Sequence, residues 1–262
     1  WAPDTYEGAP IPVTAFLSVA SKAAGFVALV TLIYVGFPQA KDVWQPFIWV
    51  LAAATMTMGN LVALRQTNII RMLAYSSISQ GGFILMPLAV AGTGDAAGPA
   101  LQSVVVYLIV YAAMNLGMFA CVIAAMRRTQ SDEISSFGGM SKYSPILAVM
   151  TSAFLFSLAG IPPLAGWFAK FVMFRSVLDA GTTPAVILGV IAALNSVIAF
   201  FYYAGVARAI WFRETPEGID LRPLKTPFAL NAAIAITGSF VLIVGIYPQV
   251  IARLGELAGA AL

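Results

Sequence analysis

The chain has no histidine, one cysteine and few charges, with 14 Lys and Arg against 11 Asp and Glu in 262 residues. Each shortage removes a class of chemistry. Without histidine, haem ligation and most zinc chemistry fall away. A single thiol, Cys121 inside an apolar run, supports neither an internal disulfide nor a cysteine-ligated cluster. No glycine-rich phosphate loop follows a strand, because no segment reads convincingly as one. A formal net charge of +3 is too small to suggest nucleic-acid binding. No redox cofactor is therefore expected in this chain. Trp1 is not an initiator, and no basic segment with a small-residue cleavage site precedes the first apolar run. Nothing resembles a signal peptide, and the start reads as truncated.

What the chain has instead is apolar length. Hydrophobic residues make up 60% of it and charged residues 10%, with a mean hydropathy of +0.90, far above the balance of a soluble domain. Stretches long enough to cross about 30 Å of hydrocarbon recur with a helical pattern, which predicts an all-α, polytopic membrane helix bundle rather than an outer-membrane barrel. Seven transmembrane spans are expected at 13–36, 47–65, 70–91, 100–126, 144–178, 183–212 and 226–252, in a single membrane domain over 1–262 whose residues 1–12 form a loop. Loops on the starting side carry Arg65, Arg71, Arg127, Arg128, Lys142, Arg213, Arg222 and Lys225, whereas the other side holds Lys41, Arg175 and Arg253. The positive-inside rule then places residue 1 on the cytoplasmic side and the C-terminus on the opposite face.

The fifth span is too long. Residues 144–178 as one straight helix would measure about 50 Å. In its middle stands "AGIPPLAG", where Pro162 and Pro163 lack amide donors and Gly160 and Gly166 ease non-helical dihedrals. Two half-helices around a break near 160–166 are expected, and the break draws Lys170 towards the bilayer interior. Irregular backbone at that depth is tolerated only where protein buries it or a wet cavity adjoins it.

Lys22 is the other anomaly. It lies ten residues after Pro12, about 15 Å along a helix, with seven uncharged residues on either side. A lysine at a helix centre costs about 2.5–3.5 kcal/mol on insertion scales, and such residues usually face a bundle interior on an ion or proton path. Structural readings remain for both lysines, either snorkelling or hydrogen bonding across helices, although midspan depth makes snorkelling hard. Away from water an amine loses the solvation that favours its charged form, so it can serve as a relay. Polar groups within the spans are candidate path-lining residues: Ser77, Gln80, Tyr111, Asn115, Asn195 and Tyr203, with Ser76, Tyr107, Asn60 and Tyr202 nearby. Any of them can equally join helices. Asp4 and Glu7 read as polar groups of a loop or a helix start.

Three stretches, "WAPDTYEGAPIPVTAFLSVASKAAGF", "GNLVALRQTNIIRMLAYSSISQGGF" and "SLAGIPPLAGWFAKF", resemble the antiporter-like subunits of respiratory complex I, the NADH:quinone oxidoreductase. The resemblance runs along the whole chain in the family's order. It implies that these spans are helices eight to fourteen of a fourteen-helix protein, the second of two inverted repeats, each with a broken helix. The first half would then carry an acidic residue on helix five and a lysine on helix seven. Lys22 matches the central helix-eight lysine, and Lys170 the lysine of the broken helix twelve, an outlet station. The helix-eight position is usually histidine within "HA" in members closest to sodium/proton antiporters, whereas here it is lysine within "SK". Many members carry histidine where Gln80 stands, and glutamine cannot take up a proton at neutral pH. A lysine also usually stands where Ile70 precedes Arg71.

The function so implied is proton translocation through buried lysines and water by a subunit of an energy-transducing inner (cytoplasmic) membrane, coupled to quinone reduction elsewhere in the complex. Quinone, NADH, FMN and iron–sulfur clusters would belong to other subunits. Partners would be other membrane subunits of complex I, the lipid bilayer, protons and water. A subunit of a multi-chain sodium/proton antiporter is the alternative, and a scaffold with structural lysines is a third reading.

Overall fold

A computed structural model of the protein describes residues 1–91 and 97–259. The described helices are α1 (Ala2–Gly8), α2 (Ile11–Thr31), α3 (Lys41–Ala63), α4 (Ile69–Val90), α5 (Ala97–Thr129), α6 (Met140–Tyr143), α7 (Pro145–Ala159), α8 (Ala165–Leu178), α9 (Thr183–Phe212), α10 (Phe228–Ile246) and α11 (Gln249–Gly259). Six helical stretches are long and apolar enough to cross a membrane: Ile11–Gly36, Pro38–Ala63, α4, α5, α9 and α10. The α7–α8 pair is two shorter helices, of 15 and 14 residues, on either side of the break.

Apolar side chains such as Phe16, Val27, Phe47, Phe201 and Ile236 face outward, while Asn60, Gln80, Asn115, Lys170 and Asn195 are buried. This arrangement suits a lipid surround, where polar groups must find partners within the protein. The centre of the bundle is α4, buried along nearly its whole length, with α5 beside it. Asn68 starts α4 by accepting from the amides of Ile70 (2.8 Å) and Arg71 (3.1 Å), which would otherwise lack helical partners.

Prolines and small polar residues set the other ends. Pro12 occupies the first turn of α2 and Pro184 that of α9, positions where a missing N–H breaks no helical bond. Gly160 ends α7 in the left-handed region at φ 93°, and the chain resumes helix only at Ala165. The interruption therefore spans 160–164, slightly shorter than the sequence predicts.

Three boundaries differ from expectation. Residues 1–12 are not a loop, because Ala2–Gly8 is helical. Pro3 is compatible with a first turn, Asp4 favours the positive end of the helix, and Arg71 binds Asp4 (2.8 Å) and Glu7 (2.6 Å) from the start of α4. The second span starts at Lys41 rather than 47, with Pro46 tolerated near its beginning. The last span is two helices. Pro248 has no amide for the ladder and pushes Tyr247 out of the helical region (φ −127°, ψ 74°), so α10 stops at Ile246 and α11 folds back against α5.

The Arg71 clamp is a surface feature, and its loss should act locally. Replacing Arg71 with alanine is expected to raise amide hydrogen exchange across residues 2–9 several-fold, leaving exchange in α4 and α5 unchanged. Uniform protection of residues 2–9 in the variant would show that packing of Tyr6 alone holds α1.

Candidate functional site

Both lysines turn inward onto main-chain oxygens. Lys22, on α2, donates from Nζ to the Ser77 carbonyl on α4 at 2.5 Å, with the ammonium 5.3 Å from the Tyr111 ring centroid. Its stem is half-buried. Lys170, on α8, is 6% exposed and donates to the Ala159 carbonyl at 2.8 Å, with Nζ 4.8 Å from the Phe83 ring centroid. Ala159 is the last residue of α7, so the helix break frees the oxygen that holds this amine. Gly160 has two reasons to lack a side chain: its positive φ, and a Cβ that would lie 2.8 Å from Lys170 Cδ. Among the described residues neither lysine has a carboxylate partner. Each cation is held by dipoles and an aromatic face alone, an arrangement in which a nearby change of charge can shift proton occupancy.

Between the amines α4 and α5 present two polar rungs. Tyr111 donates to Ser77 Oγ at 2.9 Å, and Tyr107, one turn away on α5, donates to Gln80 Oε1, one turn away on α4. Helical spacing produces both rungs, since 77/80 and 107/111 each fall on one face. Gln80 Nε2 donates to the Leu158 carbonyl at 3.2 Å, next in the chain to the oxygen that receives Lys170, and to the Tyr203 hydroxyl at 3.4 Å. Ser76 and Tyr203 also share a hydrogen bond. The two rungs share no hydrogen bond with each other among the described residues; one adjoins the residue whose carbonyl receives Lys22, and the other reaches the end of α7, where Lys170 is held. Ser77, Gln80, Tyr107 and Tyr111 are all buried.

Two expected lining residues sit elsewhere. Asn115 donates to Ser18 Oγ at 2.6 Å and staples α5 to α2 one turn from Lys22. Asn195 belongs to a knot between α3 and α9: Asn60 donates to its carbonyl and side-chain oxygens (both 3.0 Å), and it donates to Thr57 Oγ1 at 3.2 Å. Tyr202, its ring tilted against that of Tyr203 with centroids 4.4 Å apart, donates to Asn60 at 3.0 Å and so links this knot through Tyr203 to Gln80.

Tyr6 is an unforeseen member, because it lies in the segment expected to be loop. It is buried under α1, where desolvation pushes its phenol up and the nearby Ser77 hydroxyl draws it part of the way back. No sequence signal marks it. Tyr107, already among the polar groups of its span, shares a helix face with Tyr111 by its four-residue spacing.

An apolar exterior, a helix broken within the bundle and two inward-turned lysines with buried polar side chains between them define a multi-pass membrane protein of the antiporter-like class. The profile of the family described as "NADH:quinone oxidoreductase/Mrp antiporter, TM" matches residues 1–196, and the chain belongs to that family.

NADH-quinone oxidoreductase subunit N of Parvibaculum lavamentivorans is 39% identical, aligned over all of this chain and 52% of its own length. NAD(P)H-quinone oxidoreductase subunit 2 of Thermosynechococcus vestitus is 47% identical over 83% of this chain and 41% of its own. The chain spans about half the length of the curated relatives it matches. A chain of respiratory complex I from Thermus thermophilus, solved with bound aureothin, superposes with a TM-score of 0.77 at 27% identity, covering 97% of this chain and 53% of that one. The Mrp complex from a Dietzia species gives 0.82 at 23% identity over 100% and 55%, a likeness of fold alone.

Proposed function

We propose that this chain supplies part of a proton-translocating membrane subunit of an NADH:quinone oxidoreductase. The observation that carries the reading is the pair of buried polar rungs, Ser77–Tyr111 and Tyr107–Gln80, that stand between Lys22 and Lys170. A charge shift elsewhere in the complex changes the field at Lys22, and its proton passes along the hydroxyl and amide groups, with water, towards Lys170 and the far face. Tyr6, beside Ser77 beneath α1, is the starting-side approach to Lys22. Gln80 relays by hydrogen bonding and carries no charge.

Quinone, NADH, FMN and iron–sulfur clusters act in other subunits, consistent with a chain that has no histidine and one buried cysteine. Its partners are neighbouring membrane subunits, lipid, water and protons. The membrane is the energy-transducing inner membrane, with the Arg71 end cytoplasmic and the C-terminus opposite. The antiporter alternative is disfavoured because both relatives described above are quinone oxidoreductase subunits by name.

Gln80→Leu in the full-length subunit of the assembled complex tests the rungs. Proton pumping in reconstituted vesicles is expected to fall about tenfold, because leucine can neither accept from Tyr107 nor donate to the Leu158 carbonyl. Thr57→Val, at the Asn195 knot, is expected to leave pumping near normal. Equal pumping by Gln80→Leu and the parent would remove Gln80 from the route and break the proposed connection.

A further inference from the structure

A cavity apart from both lysines opens at the Arg71 end of the bundle, between the ends of α3 and α9, the start of α4 and the segment that follows α5. Its volume is about 340 Å³. At roughly 30 Å³ for each molecule, that is room for about ten waters.

The lining is polar and charged. Gln66, Thr67, Glu133 and Arg213 border the cavity, and neither Glu133 nor Arg213 forms an ion pair among the described residues. Both of these charged residues are exposed. Main-chain hydrogen bonds fix the rim: the Ile134 amide donates to the Thr67 carbonyl at 2.7 Å, and the Ile69 amide to the Asp132 carbonyl at 2.8 Å. Unpaired charges keep their water, and a roomy polar cavity holds more of it.

The same cavity is deep. Tyr202 also lines it, eleven residues before Arg213 along the chain, which is a rise of about 16 Å in a helix. Tyr202 is 6% exposed, and its ring lies against that of Tyr203, whose hydroxyl accepts from Gln80 Nε2 at 3.4 Å. Two tyrosines thus stand between the cavity and the Gln80 rung. The Tyr6 approach is elsewhere, beside Ser77 beneath α1.

We propose that this cavity is a second aqueous entry, which brings protons from the Arg71 end to the tyrosine pair and the Gln80 rung without passing Lys22. The proposal rests on the transport reading above. Its consequence is that Lys170 is supplied from the same side as Lys22 by a route of its own.

An acyl chain is the rival occupant, because Phe201 also lines the cavity and is 63% exposed. The test therefore measures wetness first, in the assembled complex carrying the full-length subunit in vesicles. Gly205 lines the cavity and a Cβ there would meet no atom within 4 Å, so Gly205→Cys introduces no clash. A charged, membrane-impermeant methanethiosulfonate is added from the Arg71 side. Labelling above the parental background is compared with that of Val197→Cys, an exposed α9 position outside the cavity. Gly205→Cys is expected to label at least about tenfold faster, because the reacting thiolate forms readily only where water solvates it. Labelling no faster than that of Val197→Cys would assign the cavity to lipid and overturn the proposal.

The transport measurement follows on the same sample, after folding and assembly are complete. Attachment of the reagent to Gly205→Cys is expected to lower NADH-driven pumping several-fold, and dithiothreitol to restore it. Fast labelling with unchanged pumping would overturn the entry role. A parental complex that reduces quinone without pumping would sink the transport reading instead, on which the labelling rates do not depend.

Discussion

Methionine in place of Lys170 is expected to reduce proton pumping by the intact complex at least tenfold while the complex still assembles. Methionine keeps an unbranched stem of similar length, so the space left by Gly160 and the contact with Phe83 stay filled. What disappears is the amine, which is the proton-carrying group at this end of the proposed route. The Ala159 carbonyl loses its donor, a cost of about 1–3 kcal/mol for a buried acceptor, offset by no longer burying an ammonium. The net effect on stability is therefore small compared with the effect on transport. NADH-driven proton uptake in vesicles, measured alongside quinone reduction and native-gel assembly, separates the two. Normal pumping with normal turnover would exclude Lys170 from the mechanism.

Alanine at Gly166 should instead damage the fold. The Cβ of residue 166 would collide with the Ser157 carbonyl across the break and would also stand 3.0 Å from Met114 Sδ. At the same point the Gly166 amide donates to Ser157 Oγ at 3.1 Å, so the two half-helices are joined where the methyl would intrude. Relief requires α8 to move away from α7 and carries Lys170 with it. Overpacking of this kind typically costs about 1–3 kcal/mol, and here it also opens a buried hydrogen bond. The expected result is a lower melting temperature and less assembled subunit in membranes, with pumping per assembled complex also reduced. A variant with parental melting behaviour and abundance would show that the break is compliant.

The parts of this architecture that read directly from sequence are those that violate a local rule. Lys22 and Lys170 stand out because apolar surroundings make a charge conspicuous, and the break stands out because two prolines cannot continue a helix across a 35-residue run. Pro248 should have ended the last span on the same grounds, but the apolar residues on both sides masked it. The short helix α1 was illegible for another reason. Its stability rests on Arg71, sixty-seven residues beyond Asp4, and on burial of Tyr6, neither of which has a local signature. Asn195 illustrates a third limit. A buried amide looks the same in a sequence whether it lines a route or ties two helices, and only its partners Asn60 and Thr57 tell the difference.

The acceptors of the two amines belong to the peptide backbone and not to any side chain. An oxygen of that kind survives every substitution at residues 77 and 159, so no single replacement there can delete it. What holds each cation is consequently a matter of where a helix runs or stops, and a small rotation of α4 or α7 would retune both sites without altering their chemistry.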